Sequence, residues 1–130
     1  MPWLAFLAVG SGAALGAWMR WGLGIFLNPL FPTLPFGTLA ANLIGGFIIG
    51  ITMTVADPLG LSPAARLLVT TGFLGGLTTF STFSAETMSL VLRTQYAWAA
   101  VIVAAHVGGS LLMTGLGALL ARGLLGLVRA

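Results

Sequence analysis

The sequence predicts an all-α membrane protein of four transmembrane helices, the third of them broken. Three observations carry that prediction. Of 130 residues, 58% are hydrophobic and only 5% are charged, the full charges being Arg20, Arg66, Arg93, Arg122, Arg129, Asp57 and Glu86. Four windows reach the roughly 20 mainly apolar residues that a membrane crossing needs. One of those windows holds the run G-F-L-G-G-L-T-T-F-S-T-F-S from Gly72 to Ser84, whose glycines and hydroxyls interrupt an otherwise apolar pattern.

The first window covers residues 3 to 27. Met1 to Leu4 carries no basic side chain, and the apolar run exceeds the core of a secretory signal, so the segment is expected to stay in the mature chain. The proline-rich stretch 28 to 35 ends it. The second window covers residues 36 to 56, and the connection after it contains Pro58 and Pro63. The third covers 67 to 92, and a short link leads to the fourth at 98 to 125. No soluble domain fits in these connections, so residues 1 to 130 are expected to form one transmembrane domain. Gly12 with Gly16 and Gly46 with Gly50 match the G-x-x-x-G spacing that lets helix backbones approach. Ala105, Gly109, Met113, Gly117 and Ala121 extend the theme along the fourth helix. Such rows explain packing rather than activity. Four helices packed so closely leave little space for a central pore, so any conduction path is expected to use more than one copy.

Composition also excludes several classes. With no cysteine there is no disulfide and no cysteine-ligated metal. A single histidine without an evident catalytic partner gives no support to hydrolase or redox chemistry, and the chain is not expected to be an enzyme. Five scattered arginines form no basic patch, so nucleic acid is not an expected partner. Arginine and lysine in short loops normally set orientation. Here Arg66, Arg122 and Arg129 lie on the face of the termini, against Arg93 and Arg20 on the other. Three against two leaves two readings open: insertion both ways with an inverted copy as partner, or N-terminus-in insertion with a parallel oligomer.

The third window is the expected functional segment. Glycine in a helix costs about 1 kcal/mol relative to alanine, and Gly72, Gly75 and Gly76 fall within five residues, which makes them the expected unwinding point. Irregular backbone in hydrocarbon is tolerated only where it is buried in protein or lines a water-filled cavity. A break there therefore marks a passage or a binding site, and its freed carbonyls would seek donors or a cation. Phe80 and Phe83 are three apart and share a helix face, with Thr79, Ser81, Thr82 and Ser84 beside them. An aromatic ring has a positive edge, so rings held edge-on favour a small anion, while hydroxyls and amides replace its lost hydration. Thr38 and Asn42 form an i,i+4 polar pair on the second helix, and the Asn42 amide can donate two hydrogen bonds. His106, Ser110 and Thr114 draw a polar line along the fourth helix. Each of these polar groups also reads as interhelical glue, worth about 0.6 kcal/mol on average. Arg20, two turns before the end of the first helix, either snorkels to the interface or supplies positive potential at the mouth of an anion path. Glu86 is the one acid within a span: a proton carrier in a coupled transporter, or, in an anion channel, a group held paired, protonated or off the conduction line.

The motifs G-F-L-G-G-L-T-T-F-S-T-F-S-A-E at Gly72 to Glu86, G-T-L-A-A-N-L-I-G-G at Gly37 to Gly46 and G-A-W-M-R at Gly16 to Arg20 resemble those of the Fluc (CrcB) fluoride channels. The resemblance implies an antiparallel, dual-topology homodimer in the bacterial cytoplasmic membrane, with two pores that export fluoride passively and so confer resistance. It implies that Phe80 and Phe83 line the pores and that Asn42 is the pore asparagine. Thr79, Ser81, Thr82 and Ser110 would add hydroxyl donors. The backbone carbonyls of Gly75 and Thr78, taken at the break, would hold a structural sodium ion between subunits. Arg20 would sit near an entrance vestibule, and Glu86 close to the pore without carrying protons. The fourth helix departs from the pattern: Ile102 stands where some members carry an aromatic hydroxyl, and His106 where others have a smaller polar group. Fluoride suits so small a protein, because it enters as HF and is trapped as the anion at near-neutral pH, so a passive pore suffices when the outside is acidic. The competing reading, a small multidrug-type dual-topology transporter, would want a carboxylate in the first helix, where this chain has Arg20 and no acid. A purely structural membrane protein would have no use for a hydroxyl-rich unwound turn.

Overall fold

The computed structural model describes residues 2–129, with side chains for 2–128; the Arg129 side chain and the terminal amine counted for orientation lie outside the described residues. The helix α1, Pro2–Leu27, is apolar on nearly every side apart from Arg20. Pro29 cannot continue it, and the chain tightens into a 3-10 turn at Asn28–Leu30. The helix α2, Phe36–Val55, starts at Pro35, which offers no side-chain cap. The cap comes from the preceding loop: the Asn28 side-chain carbonyl accepts the Gly37 amide at 2.8 Å and the Thr38 amide at 3.3 Å. Two orphan donors of the helix start are thereby satisfied.

The loop to the third crossing turns at Gly60, whose φ of +62° lies in the left-handed region. Arg66 ties the loop back on itself, donating to the Leu61 and Ala56 carbonyls and pairing with Asp57 at 2.7 Å. α3 runs over residues 63–77. It opens with Pro63–Leu67, where the Ser62 hydroxyl accepts the Ala65 amide, widens into a π-helical stretch at Leu68–Leu74, and closes with Gly75–Leu77. After two extended residues, α4 covers Phe80–Leu92. Thr94, at φ 59°, makes the turn into α5, Tyr96–Arg129.

Among the described residues three helical segments, Pro2–Leu30, Phe36–Val55 and Tyr96–Val128, are long and apolar enough to cross a membrane. The expected third window is divided between α3 and α4. α3 starts at residue 63 rather than 67, and the last helix runs from 96 to 129 rather than from 98 to 125. Apolar side chains such as Phe6, Trp21, Leu111 and Leu127 stay exposed along the outer helices, as an apolar solvent allows. Among the described residues the largest fully enclosed side chains are Leu77 and Ile102.

The glycine expectation needs a correction. Gly75 and Gly76 belong to the last helical turn of α3, Gly72 to its π-helical stretch, and the chain leaves the helix only at Thr78 and Thr79. Glycine flexibility loses here to glycine size. A Cβ on Gly76 would strike the Ala13 carbonyl, one on Gly16 the Phe73 carbonyl, and one on Gly12 the Leu68 carbonyl. The glycines of α1 and α3 face each other and hold two backbones in contact. α2 and α5 repeat the device, since Cβ atoms on Gly50 and Gly117 would strike the Thr114 and Phe47 carbonyls. Backbone atoms cannot swing aside, so Gly50→Ala is expected to cost about 1–3 kcal/mol by overpacking and to lower the thermal midpoint in detergent. Gly10→Ala, whose Cβ meets nothing within 4 Å, is the control; equal midpoints for the two variants would contradict this account of the seam.

Candidate functional site at the helix break

The third crossing stops being helical for two residues. Thr78 sits at φ −79°, ψ 152° and Thr79 at φ −148°, ψ 116°. Backbone groups freed in an apolar setting each cost several kcal/mol unless they find partners, and side chains from other helices supply those partners. The Asn42 carbonyl accepts the Thr79 N–H at 2.7 Å, and the Asn42 amide donates to the Thr79 carbonyl at 3.0 Å. The Gly76 carbonyl accepts from Arg20 Nε at 2.9 Å. That contact places a cation at the negative end of α3, where the helix dipole favours it. On the far side of the break Thr79 is the N-cap of α4, its hydroxyl accepting the Thr82 amide at 3.1 Å.

The same Asn42 amide nitrogen reaches His106 Nδ1 at 2.9 Å. Both of its hydrogens are then engaged, one on Thr79 and one on His106. The two hydrogen bonds expected of the Asn42 amide are both made, and in this arrangement they hold the break together and orient the histidine. The sequence shows the amide but not that backbone one helix away would claim it.

Around this knot lies a cavity of about 530 Å³, lined by Asn42, Gly75, Thr78, Thr79, Phe80, Phe83, His106 and Ser110 together with small and apolar neighbours. Eight of the expected residues therefore meet at one place, drawn from every helix but α1. The rings of Phe80 and Phe83 meet edge to face, with centroids 5.4 Å apart at 73°. Phe83 is buried and stacks on the His106 imidazole at 4.7 Å, whereas Phe80 is 77% exposed. Thr78 fits because Gly45 faces it; a Cβ at Gly45 would strike the Thr78 methyl.

The remaining expected residues sit elsewhere. Arg20, Thr38 and Thr82 line a second cavity of about 490 Å³, with Thr79 in the wall between it and the first. Ser81 is exposed, and its hydroxyl lies 3.3 Å from that of Thr79. Glu86 accepts a hydrogen bond from the Thr38 hydroxyl at 2.6 Å and lines a third cavity with Arg93. Thr114 is spent within its own helix, donating to the Ser110 carbonyl at 2.9 Å. Among the described residues two buried side-chain atoms have no hydrogen-bond partner, Glu86 Oε2 and His106 Nε2; leaving such a group unpaired costs about 1–3 kcal/mol. Asn28, which the sequence reading passed over, caps α2 and lines the Arg20 cavity. Its place before Pro29, ahead of a helix start with no capping side chain of its own, is the signal that points to it.

The model of the family described as CrcB-like protein, Camphor Resistance (CrcB), matches residues 7–118. A protein of Aromatoleum aromaticum named fluoride-specific ion channel FluC is 60% identical over 114 residues, 87% of each chain. One of the same name from Nitrosospira multiformis is 63% identical over 114 residues, 87% of this chain and 89% of that protein. A third, from Thiobacillus denitrificans, is 57% identical over 114 residues, 87% of this chain and 92% of its own. The matched region takes in the broken crossing, both small-residue seams and the whole Asn42 knot, and the chain belongs to the CrcB family.

Proposed function

We infer that the chain is a fluoride-specific ion channel, a multi-pass protein of the bacterial membrane that lets fluoride leave the cytoplasm passively and so confers resistance to it. The observation that carries the reading is the convergence of Phe80, Phe83, Asn42, Thr79, His106 and Ser110 on one cavity at an interrupted crossing. Fluoride is small and strongly hydrated, so a path must replace its water with donors and positive edges. Aromatic edges supply the second. The first amides of α4, which have no partner within the helix, point their positive ends toward the break. Thr38 and Thr82 extend the polar lining from the second cavity, with Arg20 as the cation at its side, and the exposed Ser81 hydroxyl lies beside that of Thr79. Glu86 stays beside this route, engaged by Thr38.

The working unit is an antiparallel homodimer inserted in both orientations, with two pores. Its support is the weak arginine bias together with the 77% exposure of Phe80 in a single chain, which leaves half of an aromatic rim for a second copy to cover. Single cysteines at the helix ends, labelled from each side, test the orientation; labelling of every copy from one side only would remove it. A sodium ion belongs in the same assembly, on the carbonyls of Gly75 and Thr78. Both residues line the cavity, and the Thr79 N–H that would close the Gly75 carbonyl's helical bond is diverted to Asn42. When bound, the ion supplies fixed positive charge between the subunits.

Liposomes carrying the purified protein and loaded with fluoride or chloride provide the direct test. Fluoride is expected to leave rapidly, by a fluoride-selective electrode, while chloride is retained. Equal leakage of both halides would reject the selectivity, and retention of both would reject the channel.

A further inference from the structure

Away from the break, α2 and α5 leave a cavity where one of them stops. α2 holds 20 residues, which at about 1.5 Å each match the roughly 30 Å apolar core of a bilayer, whereas α5 holds 34 and reaches about 50 Å. The glycine seam sets their register. A Cβ on Gly46 would meet Ser110 and one on Gly50 would meet Thr114, so the two helices run parallel, Gly46 level with Ser110 and Gly50 with Thr114. Continued past the end of α2, the same register sets Arg122 level with Pro58, beyond the apolar core and at the depth of the lipid headgroups. A cavity of about 490 Å³ lies there, and Met53, Thr54, Pro58, Ala118, Arg122 and Leu125 line it.

Two polar groups of this lining lack partners. Arg122 is exposed and, among the described residues, makes no ion pair; Asp57, the acid on its face of the protein, is held by Arg66 at 2.7 Å. The Thr54 carbonyl lacks its helical donor, because the amide four residues on would belong to Pro58, which has none. The Thr54 hydroxyl is already spent on the Gly50 carbonyl at 2.9 Å. A guanidinium presents paired donors in the geometry that a phosphate accepts. Met53, Ala118 and Leu125 give the same cavity apolar walls.

We propose that this cavity binds an anionic membrane phospholipid, with its phosphate on Arg122, a headgroup hydroxyl on the Thr54 carbonyl and the start of an acyl chain along Met53 and Leu125. The site stands apart from the ion path and does not rest on the fluoride reading. Phosphatidylglycerol has all three features. Phosphatidylcholine carries the phosphate, but its charge is cancelled within the headgroup and its quaternary ammonium has no hydrogen to donate. Basic pockets between helices at a membrane face bind headgroups in this way. An arginine that only snorkels to the interface needs no cavity.

Native mass spectrometry of the detergent-purified protein, titrated with each lipid, tests the site. The parent protein is expected to bind phosphatidylglycerol at least about tenfold tighter than phosphatidylcholine, and Arg122→Gln to weaken phosphatidylglycerol roughly tenfold to a hundredfold, the scale of a lost hydrogen bond to a charged group. Arg93→Gln removes the same charge elsewhere and is expected to bind as the parent does. Gly126→Leu separates the cavity from its charge: Gly126 lines the cavity and a Cβ there meets nothing within 4 Å, so the side chain fits the fold while filling the space. It is expected to weaken phosphatidylglycerol at least about tenfold with Arg122 intact. Parental affinity in Arg122→Gln, or equal loss in Arg93→Gln, would overturn the site. Parental affinity in Gly126→Leu would reduce it to surface charge, equal affinity for the two lipids would remove the anionic preference, and displacement of the lipid by millimolar inorganic phosphate would make it a free-anion site; each of these outcomes rejects the proposal.

Discussion

Fluoride efflux through Asn42→Asp is expected to fall to the leak of empty liposomes, by roughly a hundredfold or more, on the scale seen when a preorganised donor at a charged site is removed. One oxygen of the new carboxylate still accepts the Thr79 N–H. The other takes the place of the amide nitrogen, where the hydrogen bond donated to the Thr79 carbonyl becomes a repulsive contact at about 3 Å and the donor facing His106 Nδ1 is lost. The break loosens and the His106 ring loses the amide donor that orients it. A negative charge also enters the cavity wall, opposing an anion directly. The single substitution thus acts on backbone, on histidine and on the ion. The check pairs the fluoride electrode with size-exclusion chromatography of the same sample. Normal efflux from Asn42→Asp would refute the role given to the amide.

The second large effect concerns the rings. Phe83→Ile and Phe80→Ile are expected to slow fluoride efflux at least about tenfold, the scale of a differential ion contact, while the assembled protein still elutes as before. Isoleucine retains apolar bulk but has no positive edge. The two variants differ in what else they change. Phe83 is buried and stacks on His106, so its loss also frees the imidazole, and its replacement adds a packing defect on the scale of other large-to-small core changes. Phe80 is 77% exposed, and its replacement should leave the single chain's stability nearly intact. A drop in efflux for Phe80→Ile without loss of thermal stability would isolate the contribution of the aromatic edge. Unchanged efflux in both variants would remove the rings from the mechanism.

The main features of this arrangement are visible in the residues because membrane solvent imposes simple demands. A crossing must be long and apolar, and every polar departure from that rule stands out. Asn42 and His106 are legible for this reason, Phe80 and Phe83 through the hydroxyls that flank them, and the four meet at one cavity. The position of the break is harder to read. Propensity points to Gly72, Gly75 and Gly76, but a glycine facing another backbone supplies closeness instead of slack, and sequence alone does not say what it faces. The helix gives way at the β-branched pair Thr78 and Thr79, and the capping preference of a threonine just before Phe80 is the local signal that marks the restart. Partner choice is harder still. That Asn42 closes the backbone of Thr79, that Arg20 reaches Gly76, and that Thr38 rather than an arginine holds Glu86 are contacts between residues 37, 56 and 48 positions apart. No spacing rule within one helix reports them.

The glycine seams carry a consequence for how this protein tolerates change. At Gly16, Gly50, Gly76 and Gly117 the nearest obstacle to a side chain is a main-chain carbonyl, and no rotamer of a neighbour can make way. The plainest positions in the chain are therefore among its least permissive. Damage to fluoride resistance can arise from one added methyl group, remote from the ion and invisible to any inspection limited to polar residues.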